Sequence, residues 1–185
     1  KYADDTTLIV PSNSDICLTE EFDNVKNWAE ENKLMINFKK TAEVVFRRPN
    51  PKLFIYPDPI DTVEQTTYCK LLGVLFDTKL CFTDHVSACL KICNQRMYLL
   101  KQLRHQGLSR THLNTVFHGI ILSKVCYVIS AWGGFVNAQV TGMINSMLRK
   151  CFKYGYCNEI YTFEDLLYSA DLKLFTKMLT AGHCL

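Results

Sequence analysis

Between His85 and Asn158 the sequence contains no aspartate and no glutamate. The same stretch carries Lys91, Arg96, Lys101, Arg104, Arg110, Lys124, Arg149, Lys150 and Lys153. A surface so biased attracts polyanions, nucleic acid backbones first among them. A helical layer that simply uses Lys and Arg accounts for the composition equally well. The overall net charge of +3 conceals the asymmetry, because residues 1–82 hold ten Lys and Arg against thirteen Asp and Glu. Proline is scarce: four of the five (Pro49, Pro51, Pro57, Pro59) crowd into residues 49–61 and mark loop or edge strand. The longest uncharged run lies between Lys124 and Arg149. It contains Gly133, Gly134, Asn137, Gln139 and Asn145, and so reads as two elements and a turn rather than a membrane span. Internal repeats and low-complexity tracts are absent.

What remains is a globular composition of 185 residues, 48% apolar and 21% charged. That suffices for one ordinary domain or two small ones with a real core. The chain starts at Lys1 and reads as structured sequence from Tyr2, so it looks like a piece of a longer protein. Nine cysteines follow an opening of charged and polar residues rather than a signal peptide. The expectation is reduced thiols in an intracellular protein, nuclear or cytoplasmic and not secreted. His85, Cys89 and Cys93 share one helical face at i, i+4, i+8. That spacing suits a metal, but no fourth ligand has recognisable spacing, and packing is the expected role.

Hydrophobic periodicity predicts a strand at Thr6–Val10, an amphipathic helix over 16–31, and strands at Leu34–Phe38 and Glu43–Arg47 around Lys39-Lys40. A β-hairpin is expected from Tyr68–Phe76 and Leu80–Phe82, turning at Asp77-Thr78-Lys79. Helices then take over. Val86, Leu90, Cys93, Met97 and Leu100 form the first apolar stripe, ending at Gln106-Gly107. The second helix runs from Leu113 and becomes apolar all round; the third uses Val140, Ile144, Met147 and Cys151. Thr162 and Asp165 resemble a capping box for a last helix, with Leu172, Phe175 and Leu179 at helical spacing. The fold class is α+β, with one boundary near residue 83.

The sharpest local signal is Tyr2-Ala3-Asp4-Asp5 before the apolar Leu8-Ile9-Val10. Adjacent carboxylates at a turn repel, and a divalent cation relieves the repulsion. Hard oxygen ligands suit Mg²⁺, which pairs one or two carboxylates with water and phosphates. A solvated Asp-Asp turn is the other reading.

In context, Tyr2-Ala3-Asp4-Asp5 resembles the catalytic turn of reverse transcriptases, specifically those of non-LTR (LINE-type) retrotransposons. The run from Asn32 to Glu43, NKLMINFKKTAE, resembles the next palm motif. Leu71-Leu72-Gly73-Val74-Leu75-Phe76-Asp77 with Leu80, Phe82 and His85 resembles the following motif and the beginning of the thumb. Arg96–Arg104, Tyr127 with Trp132, and His183-Cys184-Leu185 also look like the family, so the resemblance spans essentially the whole chain.

The resemblance implies a partial right-hand polymerase palm over residues 1–82, from catalytic turn to primer-grip hairpin. An all-helical thumb or connector over 83–185 would follow. Asp4 would be the main Mg²⁺ ligand (Mn²⁺ being possible) and Asp5 its weaker partner, with Tyr2 of the same turn against nucleic acid. Lys40 matches the lysine proposed to protonate the leaving pyrophosphate or steer the triphosphate, a role Lys39 confounds. Leu72, Gly73 and Val74 would grip the primer end; apart from the family, Gly73 is an ordinary hairpin kink. Lys91, Arg96, Lys101 and Arg104 would track the template–primer backbone, although on a helical wheel they scatter and Arg104 falls on the apolar seam. Trp132 and Tyr127 could stack bases, but in so apolar a stretch they read as core.

The implied partners are an RNA template, a DNA primer, deoxynucleoside triphosphates and the upstream part of the same polyprotein, with no membrane. The family's fingers and a further catalytic aspartate precede this turn, so this chain alone is expected to be inactive. The rival readings are a non-catalytic nucleic-acid-binding remnant and a decayed element copy.

Overall fold

The computed structural model describes residues 5–48 and 53–180. The chain forms two compact units, Lys1–Cys69 with Asp77–Lys79, and Lys70–Phe76 with Leu80–Leu185. Residues 70–76 and 80–82 thus go with the helices, whereas the composition shifts at residue 83.

The first unit opens on α1 (Leu18–Glu31). Cys17 and Glu20 form a reciprocal capping box at its start. A Schellman pair, Lys33 N–H to Glu30 O and Leu34 N–H to Ala29 O, closes its end with Lys33 at φ 55°. β1 (Ala42–Val44) and β2 (Glu64–Thr66) pair in parallel, Glu43 opposite Gln65. Apolar burial is thin: Phe22, Ala29 and Val63 are buried, while Met35 is 97% exposed.

Two expected strands in this unit do not form. Thr6–Val10 has no pairing partner among the described residues. At Leu34–Phe38 the chain leaves α1 and bends straight into the turn Asn37–Lys40, so it never extends beside a neighbour. Residues 53–61 are loop as expected; 49–52 lie outside the described residues.

β3 (Tyr68–Leu71) and β4 (Val74–Asp77) make a hairpin, but its turn is Leu72-Gly73. Positive φ at both residues (46° and 86°) gives the primed geometry that matches strand twist. The expected turn at Asp77-Thr78-Lys79 and strand at Leu80–Phe82 are therefore corrected. Leu80 and Phe82 sit at φ 55° and 52°, which is incompatible with extended pairing.

The helices of the second unit enclose its core. They are α2 (Thr83–His105), α3 (Arg110–Phe117), a π-helical turn His118–Leu122, α4 (Ser123–Cys126), α5 (Ile129–Trp132), α6 (Ala138–Lys153) and α7 (Phe163–Met178). Gly107 and Gly155, both at positive φ, end α2 and α6 in Schellman pairs. The core includes Val86, Cys93, Leu100, Phe117, Ile121, Ile129, Trp132, Ile144, Leu148 and Cys151. The segment Arg110–Phe135 is long and apolar enough to cross a membrane by length and composition alone. Here it is broken at Tyr127-Val128, with Val128 at φ 48°. Thr162 caps α7 as expected, accepting from Asp165 N–H at 3.2 Å. The face of α7 that docks, however, is Phe163, Leu166, Leu167 and Ala170, while Leu172, Phe175 and Leu179 are exposed.

Candidate nucleic-acid interface

Asp4 and Tyr2 lie outside the described residues; Asp5 is exposed. Among the described residues no group of three or more His, Cys, Asp or Glu could hold a metal. Lys40 is exposed at the end of a turn built by the Asn37 carbonyl. That oxygen accepts from Lys40 N–H (2.9 Å), Thr41 N–H (3.1 Å) and Thr41 Oγ1 (3.0 Å). Asn37 thus acts through its backbone, and Lys39 is as exposed as Lys40. Nearby, Glu43 is buried and joins β1 to the segment after the prolines. Its oxygens accept from Ile60 N–H (3.3 Å) and Gln65 Nε2 (3.1 Å).

In the second unit the structure brings Leu72, Gly73 and Val74 together in the hairpin. Leu72 is 45% exposed at the tip, while Val74 points into the core. Tyr127, itself half-exposed, donates its hydroxyl to the Leu72 carbonyl at 2.8 Å. Tyr127 is thus not core, and nothing in its sequence context marks this tie. Trp132 is core, 1% exposed, edge-on to His85 at 5.2 Å and tilted against Phe163 at 5.7 Å.

The four cations assigned to α2 divide into two kinds. Lys91 and Lys101 are exposed. Arg96 is half-buried and donates Nη1 to the Ile120 carbonyl inside the π-helical turn. Such a turn misaligns the regular i to i−4 ladder, and a guanidinium supplies a donor to an oxygen there. Arg104 lies over the Tyr156 ring at 5.4 Å and donates to the Tyr154 carbonyl at 2.5 Å. It caps the C-terminus of α6, where a cation complements the helix dipole. That explains a charge on the apolar seam.

His85, Cys89 and Cys93 are buried and pack. His85 Nδ1 accepts the Leu75 N–H at 3.3 Å, which requires the Nε2–H tautomer. Cys89 Sγ lies 3.8 Å from the Lys124 carbonyl. Its hydrogen bond and burial hold the Cys93 thiol far above the ordinary thiol range, and burial pushes Cys151 up to about 12. The Cys93 and Cys151 thiols stay protonated at neutral pH and behave as small hydrophobes. No disulfide joins the eight described cysteines; Cys184 lies outside the described residues.

Burial lowers the His85 pKa, and the Lys124 charge lowers it further. A depressed native pKa gives stability that is present above the unfolded value of about 6.5 and is lost as pH falls through the native one. In that window the unfolded chain binds a proton that the folded chain refuses. Urea unfolding between about pH 8 and pH 5 should therefore show declining stability below about 6.5, and His85→Gln should flatten the decline. An unchanged slope in the variant would reject the assignment.

The fold is that of an α+β chain in which a short hairpin, hydrogen-bonded at its tip to Tyr127, leads into a basic helical unit. No protein-family model matches the chain, and no curated protein and no solved structure matches it.

Proposed function

We propose that this chain is the palm-and-thumb part of an intracellular RNA-directed DNA polymerase resembling those of non-LTR retrotransposons. In the intact protein it would copy RNA into DNA from a DNA primer with deoxynucleoside triphosphates. The observation that carries the reading is the exposed Leu72-Gly73 turn leading directly into helices with nine cations and no carboxylate from His85 to Asn158. The order of the four motifs along the chain supports it. Asp4 and Asp5 would offer Mg²⁺ or Mn²⁺ hard oxygen ligands, completed by the aspartate that the family carries on an upstream strand. Lys40 would serve the triphosphate, and Lys91 and Lys101 the template–primer backbone.

Primer extension by a chain that supplies the upstream strand and its aspartate tests the catalytic assignment. Asp4→Ala is expected to abolish incorporation; activity untouched by it sinks the assignment. Charge distribution favours a second reading, a module that holds nucleic acid without chemistry. Both readings require salt-dependent binding, with a log–log slope of about −0.9 for each phosphate neutralised on duplex DNA. A flat response in anisotropy titrations removes nucleic acid from the account of residues 83–153 altogether.

A further inference from the structure

The hairpin is tied to helices of its own unit at two points, and Trp132 joins them. At the tip, Tyr127 Oη donates to the Leu72 carbonyl at 2.8 Å. The ring of Tyr127 lies against the turn, where a Cβ on Gly73 would stand 3.4 Å from Cε1. On β4, the Leu75 N–H donates to His85 Nδ1 at 3.3 Å. Trp132 Nε1 donates to the Tyr127 carbonyl at 3.1 Å while its ring meets His85 at 5.2 Å. Lys124 stands over the Tyr127 ring at 5.7 Å, a cation–π contact that further holds it. The tip bond joins two segments under backbone strain: Leu72 has φ 46°, and Val128, next to Tyr127, has φ 48°. Bulky and β-branched L residues occupy that region only where their surroundings hold them there.

We infer that Tyr127 is a positioning residue. Its hydroxyl holds the Leu72-Gly73 turn in the primed conformation, so that the exposed tip meets the 3′ end of a nucleic-acid strand in one geometry. The nucleic-acid half of this inference rests on the polymerase reading; the tie itself does not. Removing the hydroxyl with Tyr127→Phe leaves the ring and the fold, and frees the turn to leave a conformation that Leu72 adopts reluctantly. An Asn-Gly pair prefers that conformation unaided, so Leu72→Asn should make the hydroxyl dispensable.

The test uses the full chain, its Tyr127→Phe and Leu72→Asn variants and the double variant. Amide exchange of residues 70–76 is measured alongside affinity for a duplex with a recessed 3′ end relative to a blunt duplex. Tyr127→Phe is expected to speed exchange at the turn by about two- to tenfold, with exchange in α2 and α6 unchanged. The preference for the recessed end should fall by a similar factor, whereas in the Leu72→Asn background loss of the hydroxyl should change neither readout. Unchanged exchange overturns the inference. So does faster exchange with the preference intact, which would make the bond merely structural. A preference lower in the double variant than in Leu72→Asn alone also overturns it, because the hydroxyl would then touch the nucleic acid directly. Wild-type chain binding both duplexes equally rejects the polymerase reading and the nucleic-acid half with it, while exchange and its rescue still decide the tie.

Discussion

Trp132→Ala is expected to lower the unfolding free energy by about 3–5 kcal/mol, the range for emptying a buried aromatic site. Trp132 is 1% exposed, and its ring touches His85 from α2 and Phe163 from α7. Those neighbours belong to different helices, so the site cannot collapse without moving one of them. The truncation also strips the Tyr127 carbonyl of its indole donor. Urea unfolding followed by far-UV circular dichroism reads the loss. Trp28→Ala, on an exposed position of α1, should cost under about 1 kcal/mol. Trp28→Phe leaves Trp132 as the sole indole, since the chain has two tryptophans, and its emission then reports the core directly. A Trp132→Ala loss no larger than the Trp28→Ala loss would contradict the packing described.

Arg96→Met is expected to cost about 1.5–3 kcal/mol, the net worth of a hydrogen bond to a charged group. Its guanidinium serves the Ile120 carbonyl in the π-helical turn, a partner that methionine cannot replace. Lys91→Met, at an exposed site of the same helix, should leave stability within about 0.5 kcal/mol. The order reverses for nucleic acid: Lys91→Met should weaken binding and reduce the salt slope by about 0.9, while Arg96→Met leaves the slope intact. Unchanged stability in Arg96→Met with a shallower slope would return Arg96 to the phosphate contacts.

Arg96 and Arg104 show why the cationic surface was only half legible. Composition registers that nine cations occur without a carboxylate. It does not register which of them are spoken for by carbonyls at helix irregularities, because those carbonyls lie 24 and 50 residues away in sequence. The same limit explains Tyr127, whose partner at Leu72 is 55 residues distant. The hairpin turn falls elsewhere than the sequence predicts for a more local reason. Asp77-Thr78-Lys79 has the polar composition of a turn, whereas Leu72 carries no turn preference and holds a positive φ through a tertiary hydrogen bond.

Local signals settled the α+β class, the existence of α1 and α6, the start of α7 and the end of α2. The cap residues, apolar spacing and glycines concerned act over four or five residues, a range at which sequence and structure are nearly the same information. Tertiary structure alone decided which of two apolar stripes on α7 docks, since both share the period of a helix and only the packed neighbours distinguish Leu166 and Leu167 from Leu172 and Phe175. It likewise decided that the paired strands of the first unit are β1 and β2, because a strand's hydrogen bonds are satisfied by a partner elsewhere in the chain and not by its own residues.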